Sequence, residues 1–266
     1  MNLTRIYAIF IRQTYLLRTN AARLMQIFLW AALDIFLWGF ISRYLNGVGN
    51  AGFSFVPVLL GAVLLWDFLV RVQQGVTMPF LEDIWSRNLL NLFASPLTIA
   101  EYITGFVLTS IVTSLAGLIA MLLLAGIFFG LSLAQFGLYV VPFLATLFLF
   151  GVSLGVLGAA FVLRYGPAAE WFTWPIPAIL GPFVGVFYPI SVLPVWMQNV
   201  SHILPPTYVF EGLRAALAGT AFSWSHAILG LALACTYILL SYGFFMFIYR
   251  SVVRNGLIAR FSAEVV

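Results

Sequence analysis

The chain has 266 residues, of which 63% are hydrophobic and only 8% charged, with a formal net charge of +4. Soluble domains carry about 25% charged residues because water must be faced somewhere, so this composition excludes a water-soluble globule. All twelve basic residues are arginine; with no lysine, the chain can form neither a Walker A phosphate loop nor a lysine Schiff base.

The single cysteine, Cys235, excludes a disulfide within the chain. His202 and His226 are too few and too scattered for a metal site, so no bound metal or cofactor is expected. The apolar residues come in long blocks, which predicts a lipid-embedded helical bundle. The arginines flank those blocks instead of forming a patch, which indicates membrane lipid and not nucleic acid as the partner. Nothing at the N-terminus reads as a cleavable signal peptide.

Residues 3–23 predict an interfacial helix. At about 100° per residue Arg5, Arg12 and Arg23 share one face, while Ile6, Ile9, Phe10 and Leu17 lie largely away from it. A cytoplasmic extension of the first span is the alternative. The first span is expected over Leu24–Tyr44, followed by a turn-rich loop, Asn46–Gly52. The second covers Phe53–Met78, and Pro79 then opens a polar segment reaching Thr98. Its polar residues are Glu82, Asp83, Arg87, Asn88 and Asn91; Leu81, Ile84, Leu89, Leu90, Leu92 and Phe93 supply an apolar side. Such an amphipathic helix can dock into a partner or rest on lipid headgroups, and spacing alone leaves both open.

The third span is expected over Ile99–Phe129 and the fourth over Phe136–Leu163. After a polar break, Arg164–Glu170, a fifth apolar block runs over Trp171–Tyr188. The stretch Pro189–Gly219 is apolar but carries prolines at 189, 194, 205 and 206. Proline removes a backbone donor, and irregular backbone survives at membrane depth only when covered by protein or lining a wet cavity. The expectation is two short re-entrant helices, with a bend near Leu193–Pro194. The last span covers Ser225–Tyr249, and the tail carries Arg250, Arg254 and Arg260. The predicted fold is thus all-α and polytopic, one transmembrane domain over 1–266. Its parts are 1–23, 24–78, 79–98, 99–163, 169–219, 225–249 and 250–266. Six spans put both ends on one side. With that side cytoplasmic, only Arg43 and Arg214 lie toward the outside, as the positive-inside rule favours.

Charges within the spans are expensive, about 2.5–3.5 kcal/mol each at the centre on insertion scales, and need partners. Asp67 and Arg71 stand at i,i+4 in the second span, and Asp34 lies near the middle of the first. Counted from the cytoplasmic ends, both acids lie about 15 Å deep and Arg71 about 10 Å. The three form either a structural charge cluster or a polar lining on a substrate path. Gly151-Val-Ser153-Leu-Gly155 spells the G-x-S-x-G pattern of serine hydrolases, but mid-span and with no preceding strand. A small-residue seam for helix packing explains Gly151 and Gly155 better, and no catalytic residue is expected. No internal repeat is visible, which weakens an inverted-repeat secondary transporter.

Two stretches resemble the type 2 permeases of ABC transporters. LFASPLTIAEYITG, Leu92–Gly105, is similar to the family's Leu-rich turn, Ser-Pro-Leu and acidic residue heading the third span. GVFYPISVLPVWMQNVSHILPPTYVFEGLR, Gly185–Arg214, is similar to its outer signature of Gly, aromatics, Leu-Pro, Trp, Pro and Arg. With the six-span order, the resemblance covers nearly the whole chain. It implies a permease in the inner membrane with both termini cytoplasmic, acting as a homodimer. A separate ATPase subunit would bind ATP and Mg. The exported cargo would be amphipathic, either a lipid-linked polysaccharide or a smaller drug- or lipid-like compound. The resemblance makes Pro79, Glu82, Asp83, Arg87 and Asn88 a coupling helix between spans two and three that contacts the ATPase. Tyr188, Pro189, Leu193, Pro194 and Trp196 become an outer gate in the re-entrant hairpin between spans five and six. An ion-coupled transporter or channel working through Asp34, Asp67 and Arg71 is the alternative.

Overall fold

A computed structural model describes residues 1–48, 55–219 and 224–256. The loop expected at Asn46–Gly52 beyond Val48, the first residues of the second span and the tail with Arg260 lie outside the described residues. Among the described residues the chain is helical, with short 3-10 turns and no strand. The helices are α1 (Leu3–Thr19), α2 (Ala21–Val48), α3 (Phe55–Trp85), α4 (Leu89–Ala94), α5 (Ile99–Phe129), α6 (Val140–Tyr165), α7 (Glu170–Thr173), α8 (Ile176–Val184), α9 (Val195–Ser201), α10 (Pro205–Leu217) and α11 (Trp224–Arg254). Five of them, α2, α3, α5, α6 and α11, are long and apolar enough to cross a membrane. At about 1.5 Å per residue the 31-residue α3, α5 and α11 are each roughly 46 Å long, more than a hydrocarbon core of about 30 Å.

Local chemistry explains several boundaries. Thr98 caps α5 reciprocally with Glu101: Thr98 Oγ1 accepts from Glu101 N–H at 3.3 Å, and Glu101 Oε2 accepts from Thr98 N–H at 3.0 Å. At the other end Gly130, at φ 71°, closes α5 in the left-handed conformation that glycine adopts without strain. Proline at the first position opens α10.

Helices α3 and α6 form the centre, and their contact is made close by glycine. A Cβ on Gly151 would lie 2.9 Å from the Val72 Cβ, and one on Gly155 only 2.7 Å from the Val76 Cβ and 2.8 Å from the Gln73 carbonyl oxygen. Thr77 Oγ1 donates to the Gly155 carbonyl across the same seam, at 3.2 Å. The G-x-S-x-G pattern is therefore a packing seam. Ser153 is buried and its Oγ donates to the Phe150 carbonyl at 2.6 Å. Around this centre α2, α5 and α11 turn apolar side chains outward, among them Leu37, Ile119, Leu123, Leu239 and Phe247. In water that surface would be unstable; toward lipid chains it is expected.

The helices alternate in direction. Phe80 of α3 touches Tyr102 of α5 and Phe245 of α11, so the end of α3, the start of α5 and the end of α11 share one end of the bundle. Helix α1 is at that end too, with Ile9 lying where a Cβ on Gly105 would be. At the opposite end Trp224 contacts Tyr139, and Phe136 and Leu213 approach Gly61. The chain leaves α6 at the α1 end and begins α11 at the other. Between them it climbs in two pieces: Thr173 lies beside Gly158 and Thr77, and Gly181 beside Trp66, eleven residues earlier on α3.

Four expectations need correction. Pro79 does not open a new helix; α3 runs through it to Trp85, and the segment ends in a turn where Arg87 has φ 55°. Packing on both sides carries the helix past the one hydrogen bond that proline removes. The fifth block is not one helix: it breaks at Trp174–Pro175 into the pieces α7 and α8, and α8 ends at Gly185 in the left-handed conformation. The bend between the two hairpin helices, α9 and α10, falls at His202–Leu204; Leu193–Pro194 instead opens α9. Finally, the arginine face of α1 turns toward the protein, since Ile6, Ile9 and Gln13 are buried alongside partnered Arg5 and Arg12.

Candidate functional site

The α1 end of the bundle holds a cavity of about 480 Å³ between α1, α2, α3 and α5, walled on one side by Trp174 from the broken segment. Asp34 of α2, Asp67 and Arg71 of α3, and Glu82 nearer the end of α3 all line it. The three intramembrane charges expected to cluster are thus brought to one space. Arg71 is paired with Asp67 through Nε, and its Nη2 donates to the second carboxylate oxygen at 3.3 Å. Both side chains are nearly buried, at 12% and 15% exposure, which is where pairing is most needed. Asp34 senses the Arg71 charge but has no hydrogen-bond or ion-pair partner of its own among the described residues. Gly117 of α5 allows Arg71 its place: a Cβ there would lie 2.8 Å from the arginine Cδ.

Several lining residues escaped sequence reasoning. Gln13 is 2% exposed, lines the cavity and leaves its Nε2 without a hydrogen-bond partner among the described residues. Trp30 and Trp174 supply rings, and Thr109 and Thr113 hydroxyls. Gln13 belongs to the helix expected to lie on headgroups, and Trp174 to the block read as an ordinary span; their convergence depends on tertiary packing. Glu82 was expected to face a partner, and instead it is half-buried against the cavity.

Asp83 is also turned inward, at 1% exposure. Arg12 of α1 grips it with both terminal nitrogens, Nη1 donating at 2.8 Å, and Tyr102 Oη donates to it at 2.7 Å. The carboxylate holds the Arg12 guanidinium above its ordinary pKa. A second anchor lies nearby: Asn2 N–H donates to Glu101 Oε1 at 2.6 Å, and Arg5 approaches the other oxygen at 3.6 Å. Helix α1 is thereby tied to α3 and α5. Of the residues assigned to ATPase contact, Arg87 alone is well exposed, with Trp85 and Ser86 beside it; Asn88 and Pro79 are half-buried.

At the other end, Arg214 organises the hairpin. Its Nη1 donates to the Gly185 carbonyl at 2.8 Å, and its Nη2 to Glu211 Oε1 at 2.8 Å. The same oxygen accepts from Ile190 N–H at 2.9 Å. Gly185, at φ 64°, leaves no room for a side chain beside the Tyr188 carbonyl oxygen, 2.8 Å from a built Cβ. Of the expected gate residues, Tyr188 donates through Oη to the Pro182 carbonyl at 2.8 Å, and Leu193 is half-buried. Pro189, Pro194 and Trp196 are exposed, the last set edge-on to Phe183.

Membrane-length helices around a charged cavity define a polytopic α-helical membrane protein. The chain belongs to the ABC-2 type transporter family, whose sequence profile matches residues 5–218. It is 24% identical over 182 residues to the inner membrane transport permease YadH of Escherichia coli K12, and equally to the proteins of that name in E. coli O157:H7 and Shigella flexneri. That match covers 63% of this chain and spans 65% of the relatives' length.

Proposed function

We propose that this chain is the membrane-spanning subunit of an ABC exporter in the inner membrane. It acts as a homodimer, and a separate subunit hydrolyses ATP with Mg. The observation that carries this reading is the charged cavity at the α1 end of the bundle, in a chain of the ABC-2 family. Arginine asymmetry supports a cytoplasmic α1 end, with both termini there and the Pro189–Gly219 hairpin outside. A sixth crossing is supported by the climb of α7 and α8 from the level of Thr77 to that of Trp66. Unwound backbone at that depth is tolerable because it borders the cavity through Trp174.

Coupling then runs through one helix. The exposed stretch Trp85–Arg87 and the following α4 are the contact with the ATPase, replacing a helix over Pro79–Asn91. Helix α3 carries that turn at its end and Glu82, Pro79, Arg71 and Asp67 along the cavity wall. Closure of the ATPases pulls the turn, and α3 transmits the pull to the cavity; Pro79 is where the helix bends most easily. The Arg12–Asp83 pair carries α1 along. The cargo is an amphipathic compound that enters this cavity, and the Tyr188–Trp196 stretch forms the outer gate. The ion-coupled alternative finds no support in the family membership.

The test is copurification with the ATPase. Arg87→Glu with Trp85→Ala is expected to abolish complex formation and cargo-stimulated hydrolysis while the membrane part keeps its thermal stability. Unchanged complex yield would remove the turn as the contact, and hydrolysis by the pure chain alone would sink the division of labour.

A further inference from the structure

The lining of the cavity specifies a cargo chemistry, and this step rests on reading the chain as a transporter. At its deep end two carboxylates, Asp34 and Asp67, face the space with one guanidinium, Arg71. Arg71 is paired with Asp67. The lining therefore carries net negative charge at its deep end, where Asp34 lacks a partner of its own among the described residues. A carboxylate at that depth is strongly unfavourable unless a cation joins it. The indoles of Trp30 and Trp174 share the space, and an indole face attracts a cation electrostatically, most strongly when the cation is desolvated.

A second, independent feature points to a ligand. Gln13 is 2% exposed on a different helix, lines the same cavity and has an Nε2 donor with no acceptor among the described residues. A buried donor of this kind is expected to find an acceptor. The volume, about 480 Å³, is in the range of sites for drug-sized molecules, about 300–1,000 Å³. Along α3 the lining runs from Asp67 to Glu82, fifteen residues or roughly 22 Å. Met78, Val70 and Leu17 offer the apolar contacts between.

We propose that the cavity is the cargo site and that the cargo is a cationic amphipath. It is an organic amine or quaternary ammonium on an apolar body, whose charge sits by Asp34 between the indoles and whose hydrogen-bond acceptor meets Gln13. Anionic lipid-linked glycans are excluded from this site by its charge.

The experiment is equilibrium binding to the full chain in phosphatidylcholine nanodiscs, with empty nanodiscs subtracted. The probes are radiolabelled tetraphenylphosphonium, which has no acceptor, rhodamine 6G, a cation carrying an ester, and 8-anilinonaphthalene-1-sulfonate as an anion of similar size. Both cations are expected to bind saturably and the anion not. Asp34→Asn should weaken both cations about tenfold, as loss of one desolvated charge contact implies, and Asp34→Glu should restore them. Gln13→Leu should weaken rhodamine 6G and leave tetraphenylphosphonium unchanged. Preference for the anion, no saturable cation binding by a wild-type chain that melts cooperatively, or unchanged binding by Asp34→Asn would overturn the proposal. No ATPase is present, so these results stand apart from the copurification test: a chain that pairs with its ATPase but ignores cations defeats this inference alone.

Discussion

Replacing Arg12 by alanine tests the ion pair that ties α1 to α3. Asp83 is 1% exposed and loses both guanidinium bonds, keeping only the Tyr102 hydroxyl. Removing one partner of a buried pair leaves an uncompensated charge and costs about 3–5 kcal/mol. The Arg12 side chain is 28% exposed, so water reaches that end and the expected loss falls to roughly 2–4 kcal/mol. For a chain of this size that corresponds to a melting temperature lowered by about 4–8 °C. Asp83→Asn alone strands Arg12 less severely, because the guanidinium can turn to water. The double variant, Arg12→Ala with Asp83→Asn, removes the stranded charge and should recover part of the loss, a positive coupling in a double-mutant cycle. Thermal unfolding of the four proteins in detergent, followed by size-exclusion chromatography, gives the cycle. A melting temperature for Arg12→Ala equal to wild type, or additive losses in the double variant, would refute the reasoning and return Asp83 to the surface role its sequence position suggested.

Gly155→Val should abolish folded yield, because the new Cβ meets the Gln73 carbonyl oxygen at 2.8 Å and backbone cannot step aside, as detergent extraction and chromatography would reveal. Arg214→Ala removes the bonds to Gly185 and Glu211 and should destabilise the hairpin by about 1.5–3 kcal/mol, read as faster amide exchange over 185–192; unchanged exchange would deny its organising role. In a Cys235→Ser background, cysteines placed at the exposed positions Ser86 and Asn199 should label from opposite faces of the membrane, with Ser86 cytoplasmic; labelling of both from one face would break the topology.

Much of the architecture follows from sequence alone because lipid allows few solutions. With no water to satisfy backbone groups, an apolar block longer than about 20 residues must be a helix, and α2, α3, α5, α6 and α11 fall where such blocks lie. A local signal worked equally well: Gly151 with Gly155 makes the packing seam that their spacing suggested. The i,i+4 pair Asp67–Arg71 was legible because its partners are one turn apart. Asp83 was not, since its partner Arg12 is 71 residues away and nothing in the intervening chain marks the pairing. Glu82 was not legible either: the amphipathic pattern sent it outward, and tertiary packing set it against the cavity. Helical continuity through Pro79 was a tertiary decision as well, because the loss of one backbone bond is local while the packing that outweighs it comes from neighbouring helices. Sequence periodicity determines which faces are apolar and which residues form spans. Which polar residues meet depends on how the spans are set against one another, and in this protein that packing turns scattered polar residues on α1, α2 and α3 into one cavity.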